Sequence, residues 1–186
     1  MQHRRYQLLV YIAALAAQAV VISLLERMIP SPFVFAPGAK FGLANLITII
    51  ALFTLPTKYS FQVVTLRLIL TMLLGGTLST FFYSVAGGYL SYFGMLLAKQ
   101  LGPKRVSVIG LSIFGGILHN IGQLAVAALF AKSWSVLNYL PVLYISGLLA
   151  GAATGITGYY LLNHIKILRQ YHQHFINEPG WFMTVK

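Results

Sequence analysis

Long apolar runs dominate this chain: residues 8–29, 41–55, 59–74, 80–101, 106–131 and 137–165 follow one another with only short polar breaks. A helix needs about 20 largely apolar residues to cross the hydrocarbon layer of a bilayer. Six such runs and their connections nearly use up the 186 residues, leaving no length for a separate soluble domain. Only 8% of the residues are charged, against about a quarter in an ordinary soluble domain. The runs therefore predict an all-α integral membrane protein, a bundle of six transmembrane helices over residues 1–166. Residues 167–186 are expected to form a cytoplasmic or interfacial tail. The first run is longer than a signal-peptide core and further runs follow it, so it is expected to be kept as a span.

The breaks between runs set the expected topology. Pro30-Ser31-Pro32 ends the first run, because proline removes backbone donors. Residues 30–40 are punctuated by Pro and Gly yet carry Phe33, Val34 and Phe35, which reads as an ordered apolar loop, either a plain connection or a substrate lid. The runs 41–55 and 59–74 are short for a full crossing; a re-entrant hairpin there would reduce six spans to four and keep their number even. With the N-terminus inside, Arg4, Arg5, Lys58, Lys99, Lys104, Arg105, Lys166 and Arg169 fall at cytoplasmic ends, and only Arg27, Lys40 and Lys132 outside. That bias predicts both termini in the cytoplasm. The net charge of +11 is thus read as topology and contact with anionic lipid rather than nucleic-acid binding.

Chemistry-bearing residues are sparse. The absence of Cys excludes disulfides, thiolate catalysis and Cys-based metal sites. The only acids are Glu26 and Glu178, too few for a magnesium-binding carboxylate cluster. No P-loop, GxSxG or HExxH motif is present, so no catalytic or metal-ligating residue is assigned. His3, His172 and His174 lie near the ends and are expected to be solvated or interfacial.

Arg67 sits midway along the third run, where a charge costs at least about 2–3 kcal/mol and needs a partner or a wet cavity. Glu26 is one candidate partner; an anionic ligand or backbone carbonyls are the others. The fifth run carries His119, Asn120 and Gln123; His119 and Gln123 share a helix face. Three neighbouring polar groups in an apolar helix favour a ligand pocket, to which Asn45 and Lys40 are expected to contribute from the outer side. Ala13 and Ala17 lie four residues apart on the first helix, suited either to packing inside the bundle or to docking another membrane subunit.

Several of these residues together resemble a bacterial family known as Gx transporter family proteins, also labelled heptaprenyl diphosphate synthase component I. They are Leu24-Leu25-Glu26 before Ile29-Pro30, the stretch from Pro37 to Asn45, Arg67, Ala86-Gly87-Gly88, His119-Asn120-Ile121-Gly122-Gln123 and Tyr139-Leu140-Pro141. That family is similar to the substrate-binding S components of energy-coupling factor (ECF) transporters, six-helix proteins with both ends inside. In S components an AxxxA face on the first helix docks on a coupling subunit, and outer loops cap the substrate. The resemblance implies a location in the bacterial cell membrane, Ala13 and Ala17 as the docking face, 30–40 as the lid, and ATP used by partner ATPases rather than any cofactor in this chain. It also implies a genetic context of isoprenoid and quinone metabolism or flavin-linked extracellular electron transfer. Two other readings stand beside it: a non-catalytic scaffold for an isoprenoid diphosphate synthase or electron-transfer enzyme, and an intramembrane enzyme using His119 as base.

Overall fold

A computed structural model describes residues 2–28, 40–178 and 180–182. The lid expected at 30–40 lies outside the described residues except for Lys40. No strand occurs among the described residues; the chain folds as α1 (Gln2–Met28), α2 (Asn45–Thr54), α3 (Thr57–Leu73), α4 (Leu78–Lys99), α5 (Val108–Ala131), a 3-10 turn at Trp134–Tyr139, α6 (Leu140–His164) and α7 (Lys166–Phe175). Among the described residues, four stretches are long and apolar enough to cross a membrane: Tyr6–Met28, Leu78–Lys99, Val108–Ala131 and Trp134–His164. Their outward faces carry residues such as Leu25, Leu97, Leu129 and Ile145, exposed without a protein partner to cover them. That is the pattern of helices solvated by lipid, and the chain is membrane-embedded.

Local chemistry fixes where these helices start and stop. Thr77 and Thr80 form a reciprocal capping box at the start of α4, and Ser107 accepts from Gly110 N at the start of α5. Lys132 ends α5 in the left-handed conformation. Between α4, α5 and α6 the backbones approach closely at glycines. A Cβ at Gly122 would lie 2.6 Å from Ala86 O, and one at Gly151 2.6 Å from Ile113 Cα. Small residues substitute here for the hydrophobic drive that lipid abolishes.

The two short runs behave differently from the other four. Only Asn45–Thr54 of the run 41–55 is helical, about 15 Å of helix at 1.5 Å per residue and half the bilayer core. Residues 42–44 form a turn instead, with Gly42 at φ +89°. Nine of the ten residues of α2 are buried, and Ile49, Phe53, Val63, Val64, Tyr92, Met95 and Leu111 make the core around it. α3 is 17 residues long, about 25 Å.

The C-terminal end of α2 stops inside the protein, so its last carbonyls need donors. Lys99 Nζ donates to Leu52 O at 3.2 Å, and His172 Nδ1 lies 2.6 Å from Phe53 O. His172, expected to be solvated or interfacial, is buried against the bundle and so not solvated, because an unmet carbonyl draws it there; His174 is exposed, and the side chain of His3 lies outside the described residues. Trp181 packs edge-on against Phe53 at 5.0 Å, and Lys99 pairs with Glu178 at 3.2 Å. The tail thus docks on the bundle. Tyr11 of α1 reaches the same region, donating to Thr54 Oγ1 at 2.9 Å and stacking on Tyr171 at 3.9 Å.

α1 and α6 do not meet among the described residues. Between them lies an open groove floored by α2 through Leu46 and Ile50 and edged by Ala14, Ala17 and Gln18. Ala13 and Ala17 point outward, whereas Ala16 and Ala19 are buried; the outward pair takes no part in internal packing.

Candidate ligand-binding site

At the end of the bundle opposite α7, the last turns of α1, the turn at 42–44, the second half of α3, the first half of α4 and the middle of α5 converge on a polar cavity. Ser23, Glu26, Lys40, Arg67, Thr71 and His119 are among its lining residues, and its volume is about 20 Å³. That is room for about one water and no more, so the polar groups close upon themselves in this conformation.

Arg67 is 5% exposed, and its guanidinium rests on the glycine pair of α4: a Cβ at Gly88 would lie 3.0 Å from Nη2. Its hydrogen bond is long, from Nη1 to Thr48 Oγ1 at 3.4 Å. No ion pair within 4.0 Å joins it to Glu26 among the described residues. Glu26 Oε1 accepts instead from the backbone N–H groups of Gly42, at 2.6 Å, and Leu43, at 3.3 Å. Of the partners foreseen for Arg67, the direct contact with Glu26 is not made among the described residues.

His119 fits between two glycines. A Cβ at Gly42 would lie 2.9 Å from its Cδ2, and one at Gly87 2.9 Å from its Nδ1. Its buried Nδ1 has no hydrogen-bond partner among the described residues. Asn45, 2% exposed, opens α2 next to Gly42, and neither its Oδ1 nor its Nδ2 has a partner there. Thr71 Oγ1, one helical turn beyond Arg67, is likewise unpartnered. Buried polar atoms left unmet cost about 1–3 kcal/mol each, and here they gather around one cavity.

The other two expected residues serve the walls. Gln123 holds the main chain of Lys40 with two bonds, accepting from Lys40 N at 2.7 Å and donating to Lys40 O at 2.8 Å. Asn120 turns into the α5–α6 interface and donates to Leu143 O at 2.8 Å. Arg67, His119 and Lys40 therefore meet at the cavity, Asn45 stands beside it, and Gln123 and Asn120 stand one layer out. Sequence reasoning missed Thr71 and the role of Glu26. Thr71 was detectable four residues from Arg67 on the same helix face; Glu26 was not, because its partners are main-chain groups.

The electrostatics are one-sided. Lys40 and Arg67 line the cavity, Arg27 lies close by with Nη2 donating to Thr71 O at 2.8 Å, and Glu26 is the one acid there. Burial, followed by the field of Arg27, lowers the Lys40 ammonium to about 8. The N-terminal, partially positive end of α2 points the same way. Such a site suits a negative group. Among the described residues, no three His, Cys, Asp or Glu side chains stand close enough to hold a metal.

Residues 15–161, from the middle of α1 to the last turn of α6, match the model of a family described as heptaprenyl diphosphate synthase component I. The match takes in every residue of the cavity and leaves out α7. No curated protein and no solved structure matches.

Proposed function

The chain belongs to the heptaprenyl diphosphate synthase component I family, and we propose that it is a non-catalytic, substrate-binding membrane subunit of the S-component type. Its ligand is a small anionic or amphipathic molecule taken from the outer face of the bacterial cell membrane. The observation that carries this reading is Arg67, buried in the bundle and lacking an ion-pair partner within 4.0 Å among the described residues. A charge so placed marks a ligand or ion site by default.

In this reading α2 and the turn before it make one pass, α3 another, and the four long helices the rest, six in all. Both termini then face the cytoplasm, since the eight cations assigned there sit at the α7 end of the bundle. Arg67, His119 and Lys40 contact the ligand, Asn45 closes the site, and Gln123 and Asn120 hold its walls. No nucleotide motif is present, so partner ATPases supply the energy through a coupling subunit docked on Ala13 and Ala17. Native mass spectrometry of the purified chain should find a bound anion in wild type and none in Arg67→Gln. Finding neither a ligand nor co-purifying ATPase partners would sink the proposal.

The second reading, an accessory or scaffold subunit for an isoprenoid diphosphate synthase or an electron-transfer enzyme, is favoured by one observation: the outward alanines beside an open groove. It predicts that Ala13→Leu with Ala17→Leu breaks assembly, while Arg67→Gln and His119→Ala leave function intact. Uptake assays on the two sets separate the readings.

A further inference from the structure

The cavity carries a charge excess that the rest of the chain cannot cancel. Lys40 and Arg67 line it, Arg27 stands behind its wall on the carbonyl of Thr71, and Glu26 alone opposes the three, an excess of two positive charges in the region. The chain has only one other acid, Glu178, and that one pairs with Lys99 at the opposite end of the bundle. Residues 29–39 contain no acid either. Whatever balances the excess must come from outside the chain.

The shape of the site narrows the choice. Arg67 and Lys40 line the same cavity of about 20 Å³, so the balancing charges converge on one point. Two carboxylates held apart by a carbon chain cannot both reach one point; one group bearing two charges can, once the side chains that close the one-water cavity part to admit it. Around the point stand buried polar atoms without partners among the described residues, namely Thr71 Oγ1, both amide atoms of Asn45 and His119 Nδ1. Thr71 is 4% exposed and Asn45 2%. The Asn45 amide and Thr71 hydroxyl supply neutral donors for oxygens that the cations leave unmet.

We infer that the ligand's head is a single doubly charged oxyanion of the phosphoryl type, a phosphomonoester or phosphonate, held between Arg67 and Lys40 with Thr71 and Asn45 completing the oxygen contacts. This rests on the anion-binding reading above and adds the charge and geometry of the head group. The same chemistry occurs in a soluble phosphorylated compound and in the head of a phosphomonoester lipid, and the test separates these sources.

The full-length chain is reconstituted in phosphatidylcholine nanodiscs at pH 7, and its thermal unfolding is followed with sodium phosphate, methylphosphonate, sulfate and acetate. A second arm replaces one fifth of the lipid by phosphatidic acid. The expected result is stabilisation by phosphate, methylphosphonate and sulfate at concentrations at least tenfold below those needed for acetate. Arg67→Gln and Lys40→Gln should each lose at least tenfold in that affinity. Stabilisation by phosphatidic acid with no response to soluble phosphate assigns the head group to a lipid. Acetate acting as well as phosphate overturns the two-charge head and leaves the anionic reading standing. No response to any anion or to phosphatidic acid removes both. Equal responses of wild type and both variants place binding elsewhere and overturn the assignment; a monodisperse elution profile for each variant shows that it is folded.

Discussion

Replacing Gln123 by alanine tests whether the segment at Lys40 is held by the two bonds that the structure places there. The side chain accepts from Lys40 N at 2.7 Å and donates to Lys40 O at 2.8 Å. Each bond contributes about 0.5–1.5 kcal/mol net, so the pair is worth about 1–3 kcal/mol, a factor of about 5–150 in the local opening equilibrium. Lys40 is only half-buried, so water can take over part of the loss, and the lower half of that range is expected. Hydrogen-exchange mass spectrometry on the nanodisc-embedded chain should show residues 40–43 exchanging faster by that factor, with the core around Leu111 unchanged. Gln123→Glu keeps the acceptor for Lys40 N–H and loses the donor to Lys40 O, and should fall between. Glu26 grips the same segment through Gly42 N at 2.6 Å. Combining Glu26→Gln with Gln123→Ala should therefore be non-additive. Unchanged exchange at 40–43, or equal acceleration along the whole of α5, would refute the latch.

Three further outcomes follow from the same contacts. Gly151→Ala puts a Cβ 2.6 Å from Ile113 Cα; backbone cannot rotate away, so a loss of about 1–3 kcal/mol or more is expected, read as a lower unfolding temperature, while Gly110→Ala, 3.3 Å from the Ser107 hydroxyl, should change little. Arg67→Met removes a buried cation with no ion-pair partner and should leave stability equal or higher while abolishing anion binding, since such charges are retained at a cost in stability; a large drop in unfolding temperature would count against the site. Lys40, lowered to about 8, carries its charge below that pH and loses it above. Its share of anion affinity should be full at pH 7 and fade as pH rises through about 8, and Lys40→Arg should keep affinity at pH 9; titrations at the two pH values decide this.

The long helices were readable because lipid imposes a length. The runs 80–101, 106–131 and 137–165 appear as Leu78–Lys99, Val108–Ala131 and Leu140–His164, the starts of α4 and α5 set by the hydroxyl caps of Thr77 and Ser107. The run 41–55 was misleading, since hydropathy scores an apolar turn at Gly42 as it scores a helix. The docking of the tail on the bundle was not legible, for the opposite reason. Its composition is polar, but Leu168, His172 and Trp181 form an inward face whose target, the end of α2, lies over a hundred residues upstream. Arg67, Lys40 and His119 stood out in the sequence because charge and polarity in an apolar run are conspicuous. The bonds of Glu26, Gln123 and Asn120 did not, because all three reach main-chain atoms, and a backbone partner leaves no trace in residue type.

The short helix α2 also decides what kind of recognition the cavity can perform. A helix with nine buried residues in ten brings both of its ends, with their orphan backbone groups, inside the protein. At the far end Lys99 and His172 meet the carbonyls. At the cavity end the turn meets the first amides itself: Asn45 N bonds to Gly42 O at 2.9 Å, Leu46 N to Leu43 O at 3.0 Å and Ile47 N to Ala44 O at 3.2 Å. α2 therefore lends the cavity the field of its dipole but not these three N–H groups, unlike a phosphate loop that cradles its ligand in main chain. In the proposed reading the contacts left for a ligand are side chains, those of Arg67, Lys40, His119, Asn45 and Thr71. Recognition built from side chains can be erased one residue at a time with the fold intact, and that separates the ligand-binding reading from the scaffold reading by mutation.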